Sequence, residues 1–283
     1  MNILSIDLED WFHILDHPDL AWSSTWETMP SRIENNTDRI LQLLDSKNIR
    51  ATFFCLGWVA RRYLDLIKRI ASKHEVACHS MFHTLVYSQK PDDFKKDLHE
   101  NIELLVKTSG KNISAYRAPG FSFTSETKWM VPILAEAGIK YDCSVFPLKR
   151  NHGGYEDFPV VRPCKIVYKD VSLMEFPMNT TSFFGKKIIF SGGGYFRLLP
   201  YSFIRRSMNT DYVMTYFHPR DFDPGQPVIG NLNFKRKFMS YVGLKKSFSK
   251  FERLVNDYKF ITVEEAGKQT DWNAAPIINL DNI

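Results

Sequence analysis

Short apolar runs that each stop at a polar residue, with helix-spaced stripes between them, constrain this chain more than any other feature. Ile3-Leu4-Ser5-Ile6 stops at Asp7, residues 75–78 stop at His79, and residues 212–217 stop at His218. Residues 51–55 and 115–117 are further strand-like runs, bounded by Gly57 and by Pro119-Gly120. Between them, Ile33, Ile40, Leu41 and Leu44, then Val59, Tyr63, Ile67 and Ile70, recur at helical spacing. Residues 91–106 open with Pro-Asp-Asp, a helix start, and residues 125–137 run to a Gly138 stop. Strand and helix alternate repeatedly, which predicts a parallel α/β arrangement. In such folds chemistry collects where strands end, and Asp7, His79, Arg117 and Asp142 all lie there.

His79 and His83, in Cys78-His79-Ser80-Met81-Phe82-His83, are four residues apart and can face one way on a helical turn. The first apolar run delivers an acidic cluster, Asp7-Leu8-Glu9-Asp10. Two imidazoles and one carboxylate make a divalent-metal site with open positions. A metal there acidifies water enough to hydrolyse an amide or ester near neutral pH.

The 283 residues are 44% apolar, enough for one sizeable core, and are read as a single unit, 1–283. A net charge of +5 suits an anionic ligand or a membrane surface but demands neither, and no Lys/Arg block is dense enough for nucleic acid. Cys55, Cys78, Cys143 and Cys164 form no C-x-x-C pair, and the first three sit in or beside apolar runs. Such thiols, with no basic leader at the start, lead us to expect a cytoplasmic location.

Residues 150–200 are rich in Gly, Pro and short β-like runs and are read as an antiparallel insertion. Residues 7–29 read as a long loop, and residues 235–265 as a basic, helical C-terminal region followed by a tail. Lys235 to Lys250 reads first as a solvated face, with peripheral contact to anionic lipid or a lipid-pyrophosphate carrier as the alternative. Trp11, Phe12, Trp22 and Trp26 suit either a sugar-stacking platform or core packing. His13, His17, His74, His99 and His152 have no motif support and are read as structural or exposed.

Taken in order, these motifs resemble the polysaccharide deacetylases, the NodB-homology group of carbohydrate esterases. The resemblance spans about residues 2–225. It rests on Asp7-Leu8-Glu9-Asp10-Trp11-Phe12, on the His79–His83 run, on Arg117-Ala118-Pro119-Gly120 and on residues 141–147. Glu175-Phe176-Pro177, residues 193–200 and Tyr216-Phe217-His218-Pro219 complete it. It implies a distorted (β/α) barrel with the β insertion at 150–200, and one divalent metal, zinc by default. It further implies Asp7 as general base, His79 and His83 as metal ligands, His218 as general acid and Arg117 as the group orienting the base. Leu8 separates Asp7 from the next acid, so the third ligand is Glu9 if the segment stays extended, or Asp10 if it turns tightly. Gly120 is the candidate oxyanion donor, with Trp11 and Tyr195 as substrate contacts. Asp142 or Glu175 orients His218.

The activity so implied is removal of an acetyl group from an amino sugar of a bacterial glycan, or of a lipid-linked or nucleotide-linked precursor. A cyclic-amide hydrolase on the same fold, and a non-catalytic glycan-binding protein, are the alternatives.

Overall fold

The computed structural model describes residues 1–15, 17, 20 and 23–283. Its strands are β1 (Asn2–Ile3), β2 (Ser5–Leu8), β3 (Thr52–Cys55), β4 (Glu75–Cys78), β5 (Ala115–Tyr116) and β6 (Tyr141–Asp142). They continue with β7 (Cys164–Tyr168), β8 (Val171–Glu175), β9 (Thr181–Phe183), β10 (Lys186–Ile188), β11 (Val213–Met214) and β12 (Ile277–Asn279). One sheet runs in the order β12-β7-β8-β6-β5-β4-β3-β2. From β2 through β8 every neighbour in it is parallel. All four residues of β2 and of β3 are buried. Helices cover a parallel sheet, so both faces of these strands are enclosed, and the polar members Ser5, Asp7 and Thr52 are each hydrogen-bonded.

The sheet curls toward closure beyond β2. β1 pairs in parallel with β11, and the Asp7 amide donates to the Phe217 carbonyl at 2.8 Å. Gly192 then bridges Tyr216 in parallel. A Cβ at Gly192 would sit 1.7 Å from the Tyr216 carbonyl oxygen, so only glycine lets the two backbones meet. The expected barrel-like α/β architecture is therefore present.

Several local expectations need correction. The single helix read over 59–71 is two, Gly57–Arg62 and Leu64–Lys73, broken at Tyr63, whose φ of −124° and ψ of 59° are not helical. The helix after Phe121 covers Met130–Glu136 only. The antiparallel pairing expected in 150–200 exists as β7–β8, but β8 also pairs in parallel with β6, so this hairpin is an arm of the main sheet. The basic C-terminal region holds the helices Phe234–Tyr241 and Leu244–Asp257, with Gly243 between them at φ 72°, and the start of a third, Val263–Gln269. The supposed tail is docked: β12 pairs with β7, and Leu280 is buried. Among the described residues no helix is long and apolar enough to cross a membrane.

His74 ends the helix Leu64–Lys73 and is buried, its Nδ1 accepting the Ala51 amide at 3.3 Å. Burial pulls its pKa from 6.5 to about 4, against the raising effect of Asp45. The unfolded chain therefore takes up a proton first. Stability linked to His74 is complete above pH 6.5 and is lost as pH falls toward 4. Wild type should lose on the order of 3 kcal/mol more than His74→Gln across that window. Denaturant titrations of both proteins at several pH values measure the difference, and parallel pH profiles would refute it.

Candidate active site

Three strand ends and one loop build the site. Asp7 lies within β2 and Glu9 follows it, His79 leaves β4, Arg117 leaves β5 and His218 follows the Phe217 bridge. Glu9 is 6% exposed, and its Oε1 lies 3.0 Å from His79 Nε2 and 3.0 Å from His83 Nε2.

The imidazoles do not meet on a helical turn, as the spacing suggested. Residues 79–83 form a loop in which Ser80 (φ 64°) and His83 (φ 55°) take left-handed conformations. The loop is held from the helix Pro91–Ser109. Asn101 Nδ2 donates to the Ser80 carbonyl at 2.6 Å, and Asp97 accepts the Met81 amide at 2.9 Å. A Cβ on Gly57 would meet Met81 Sδ at 2.2 Å, so the loop lies directly against the start of Gly57–Arg62.

The chemistry of this donor set fits a cation. His79 Nδ1 lies 2.7 Å from the Arg117 carbonyl, an acceptor that requires Nδ1 to carry the proton. In the neutral ring the Nε2 lone pair then faces a carboxylate oxygen. Two lone pairs at that separation repel unless a proton or metal ion lies between them. His83 Nε2, also aimed at Glu9, is buried and makes no hydrogen bond. Burial alone would raise the Glu9 carboxyl, but His83, His218 and the bond with His79 outweigh it and hold Glu9 well below the carboxylate range. Glu9, His79 and His83 thus offer three ligand atoms within 4.8 Å of one another.

Asp10 is not in this cluster. Its carboxylate accepts Ser31 Oγ at 2.6 Å and the Arg32 amide at 2.9 Å, serving the start of the helix Ile33–Ser46. The chain turns after Glu9, so consecutive acids face different ways.

Asp7 Oδ1 accepts Arg117 Nη1 at 2.6 Å. Arg117 is fully buried, bonds Ser5 Oγ and the Cys143 carbonyl, and lies 4.1 Å over the Phe54 ring. The other Asp7 oxygen is 3.9 Å from His218 Nε2, which is itself 3.9 Å from Glu9. His218 Nδ1 bonds Asp221 Oδ2 at 3.0 Å, and Asp221 is in turn paired with Arg197. Burial draws His218 down to about 4, opposed by Glu9 and Asp7.

Neither Asp142 nor Glu175 orients His218. Asp142 accepts Ser144 Oγ at 2.5 Å, and Glu175 accepts the Val145 amide at 3.1 Å. Burial raises both: Asp142 to about 6, and Glu175 well above its usual value with Asp142 adding to the rise. Asp221 is the residue that the sequence reading missed, although His218-Pro219-Arg220-Asp221 places it three residues on, in the first turn of Pro219–Phe222.

Asp7, Glu9, His83 and His218 open onto a cavity of about 380 Å³ that Gly120 and Tyr195 also line. Trp11 does not reach it. It is 6% exposed and donates to the Pro30 carbonyl, while Phe12 and Trp26 are buried as well, so these rings pack the core. Trp22 lies outside the described residues. His13, read as structural or exposed, is buried and lines the cavity beside His83.

Residues 15–141 match the polysaccharide deacetylase family, and residues 143–268 match a domain of unknown function (DUF3473). A peptidoglycan-N-acetylglucosamine deacetylase of Bacillus cereus is 30% identical over 95 residues, which are 33% of this chain and 34% of that protein. The chain thus spans about a third of the length of this curated relative. A Mycobacterium smegmatis structure assigned to the polysaccharide deacetylases superposes with a TM-score of 0.57 at 23% identity, over 92% of this chain and 91% of the other. A 4-alpha-glucanotransferase of Thermococcus litoralis superposes at 0.59 and 11% identity, over 98% of this chain and 41% of the other. At such identities these two likenesses speak to the fold alone, and a shared fold does not carry a shared reaction. The chain thus carries a polysaccharide deacetylase domain over residues 15–141, followed by the domain of unknown function over 143–268.

Proposed function

We propose that this chain removes the acetyl group from an N-acetylated amino sugar of a bacterial glycan or its precursor. The observation that carries the reading is the convergence of Glu9, His79 and His83 on one point, faced by Asp7 and His218. Two imidazoles and a carboxylate suit zinc, and a cation held there supplies Lewis acidity to an acetyl carbonyl and to water. Asp7, positioned by Arg117, takes the proton of the attacking water. His218 Nε2, 3.9 Å from Asp7 Oδ2, is placed to take that proton through an intervening water and to pass it to the departing nitrogen. Asp221 holds the ring and favours its charged form, as the carboxylate partner of a catalytic imidazole does. Gly120 brings backbone close to the cavity where the oxyanion develops. A cytoplasmic location belongs to the same proposal and draws on four buried, unpaired thiols.

Acetate release from N-acetylhexosamine oligosaccharides by zinc-loaded protein tests the reading. Turnover should be measurable and should stop on chelation. Ring opening of a cyclic ureide with no acetate from any N-acetylated sugar would transfer the site to the other hydrolase class.

A further inference from the structure

The helix Phe234–Tyr241 is turned inside out. A surface helix ordinarily presents its apolar stripe to the core and its charges to water. Here Phe234 is 87% exposed and Phe238 is 47% exposed, while Ser240 is buried and Arg236 half-buried. At 3.6 residues per turn the two rings lie about 40° apart around the axis. Lys237 stands about 60° beyond them on one side and Lys235 about 60° beyond them on the other. Both lysines are exposed. Arg236, Met239 and Ser240 fall on the opposite side and line the cavity over the cluster.

The rings do not face outward through a loose fit. Asn233 caps the helix, its side chain accepting the Arg236 amide at 2.9 Å. At the other end buried Arg197 donates to the Ser240 carbonyl at 3.2 Å and to the Val242 carbonyl at 3.1 Å. Tyr241 Oη accepts the Ile229 amide and donates to the Pro227 carbonyl. Hydrogen bonds to the body of the fold therefore set which side of the helix is outside. Neighbouring segments expose apolar side chains too: Val228, between the two residues that Tyr241 holds, and Leu198, beside Arg197.

The charge around these rings is of one sign. No Asp or Glu occurs between Asp223 and Glu252, a stretch that holds Lys235, Arg236, Lys237, Lys245, Lys246 and Lys250. Lys250 is committed to the fold, donating to the carbonyls of Phe196, Arg197 and Leu199, and Arg236 is engaged as well. The other four are exposed, and among the described residues no carboxylate is paired with them. Lys245 and Lys246 follow the helix after Val242-Gly243. They stand in the first turn of Leu244–Asp257, which holds no acid and where the helix dipole disfavours a cation.

Outward phenyl rings flanked by unpaired lysines match the boundary of an anionic bilayer. The rings enter the acyl boundary, and the lysine stems lie along it with their ammonium groups at the headgroup phosphates. A second copy of this chain is a poorer match. A two-fold contact through this face sets its lysines against their own counterparts, with no acid between them.

We propose that the outward face of Phe234–Tyr241, with the lysines that flank it, docks on an anionic lipid bilayer. Asn233 and Lys235, on either side of Phe234, line the cavity over Asp7 and Glu9. Docking therefore sets the rim of that cavity at the headgroups, where an acetylated sugar carried on a lipid is presented. The docking surface stands whether or not the cluster is a deacetylase site.

The test is flotation of the full chain with vesicles of phosphatidylcholine alone and of phosphatidylcholine mixed with phosphatidylglycerol. Wild type should partition onto the mixed vesicles roughly 10-fold more strongly than onto the neutral ones, and less so at high salt. Phe234→Ala with Phe238→Ala should weaken that partition by about 10-fold or more. Lys237→Gln with Lys245→Gln and Lys246→Gln should weaken it by roughly 10- to 100-fold. All five side chains are exposed, so circular dichroism should show the fold intact in both variants. Acetate release from a small soluble sugar should match wild type in both, which separates failure of docking from failure of the deacetylase reading. Equal partition onto the two vesicles, or partition that neither set of substitutions alters, would overturn the proposal. A dimer in solution that Phe234→Ala with Phe238→Ala dissociates would overturn it in favour of a second copy. Absence of binding to either vesicle would overturn it and leave an acidic protein surface as the occupant.

Discussion

His79→Ala is expected to leave the folded protein unable to retain a divalent metal through dialysis and to lower kcat/KM by roughly 10³-fold or more. His79 makes the two contacts that define the cluster, one to the Arg117 carbonyl and one to Glu9. Removing the ring deletes one of three ligand atoms and also the group that bridges β4 to β5 at their ends. Glu9 and His83 remain, but two protein ligands leave a coordination shell mostly to water. Metal analysis after dialysis, with circular dichroism to verify the fold, reads the outcome. A variant that keeps one equivalent of metal and full turnover would show that the cluster is not the metal site.

Asp7→Asn should separate the base from the metal. The substitution keeps the shape of the side chain and an oxygen for Arg117 Nη1, so metal content should stay at the wild-type level. Turnover should fall by about 10²- to 10⁴-fold, because an amide cannot take the proton of the attacking water. A second consequence follows from burial. Arg117 is 0% exposed and Asp7 is the carboxylate that answers its charge. Losing one partner of a buried pair costs about 3 kcal/mol. Thermal unfolding should report that loss in the absence of metal and substrate. Retention of most of the rate, with Arg117 unperturbed, would mean that another group serves as base.

These two residues also mark how far the sequence could be read. The apolar runs were legible because a parallel sheet covered on both faces is largely apolar, and the helices between must show a stripe. The positions at strand ends were legible for the same reason: a polar residue that interrupts such a run stands at the sheet's rim. The metal-site candidates Glu9, His79 and His83 therefore emerged as residues of interest, as did Asp7, Arg117 and His218. The manner of their meeting did not. Spacing of four suggested a helical turn for His79 and His83, whereas a loop with two left-handed residues, pinned by Asn101 and Asp97, brings them together.

What the sequence by itself determined was the order of elements and the chemical types waiting at strand ends, because burial periodicity and side-chain chemistry are local properties. What only the tertiary structure decided was pairing between segments far apart in the chain. Asp10 was drawn off to the helix Ile33–Ser46, and the rings of Trp11 and Trp26 went into the core. Asp221 took the place beside His218 that Asp142 or Glu175 had been expected to fill. Each of these depends on which long-range partner lies within a few ångströms, and electrostatic and hydrogen-bonding preferences fall off too steeply with distance for a linear string of residues to reveal it.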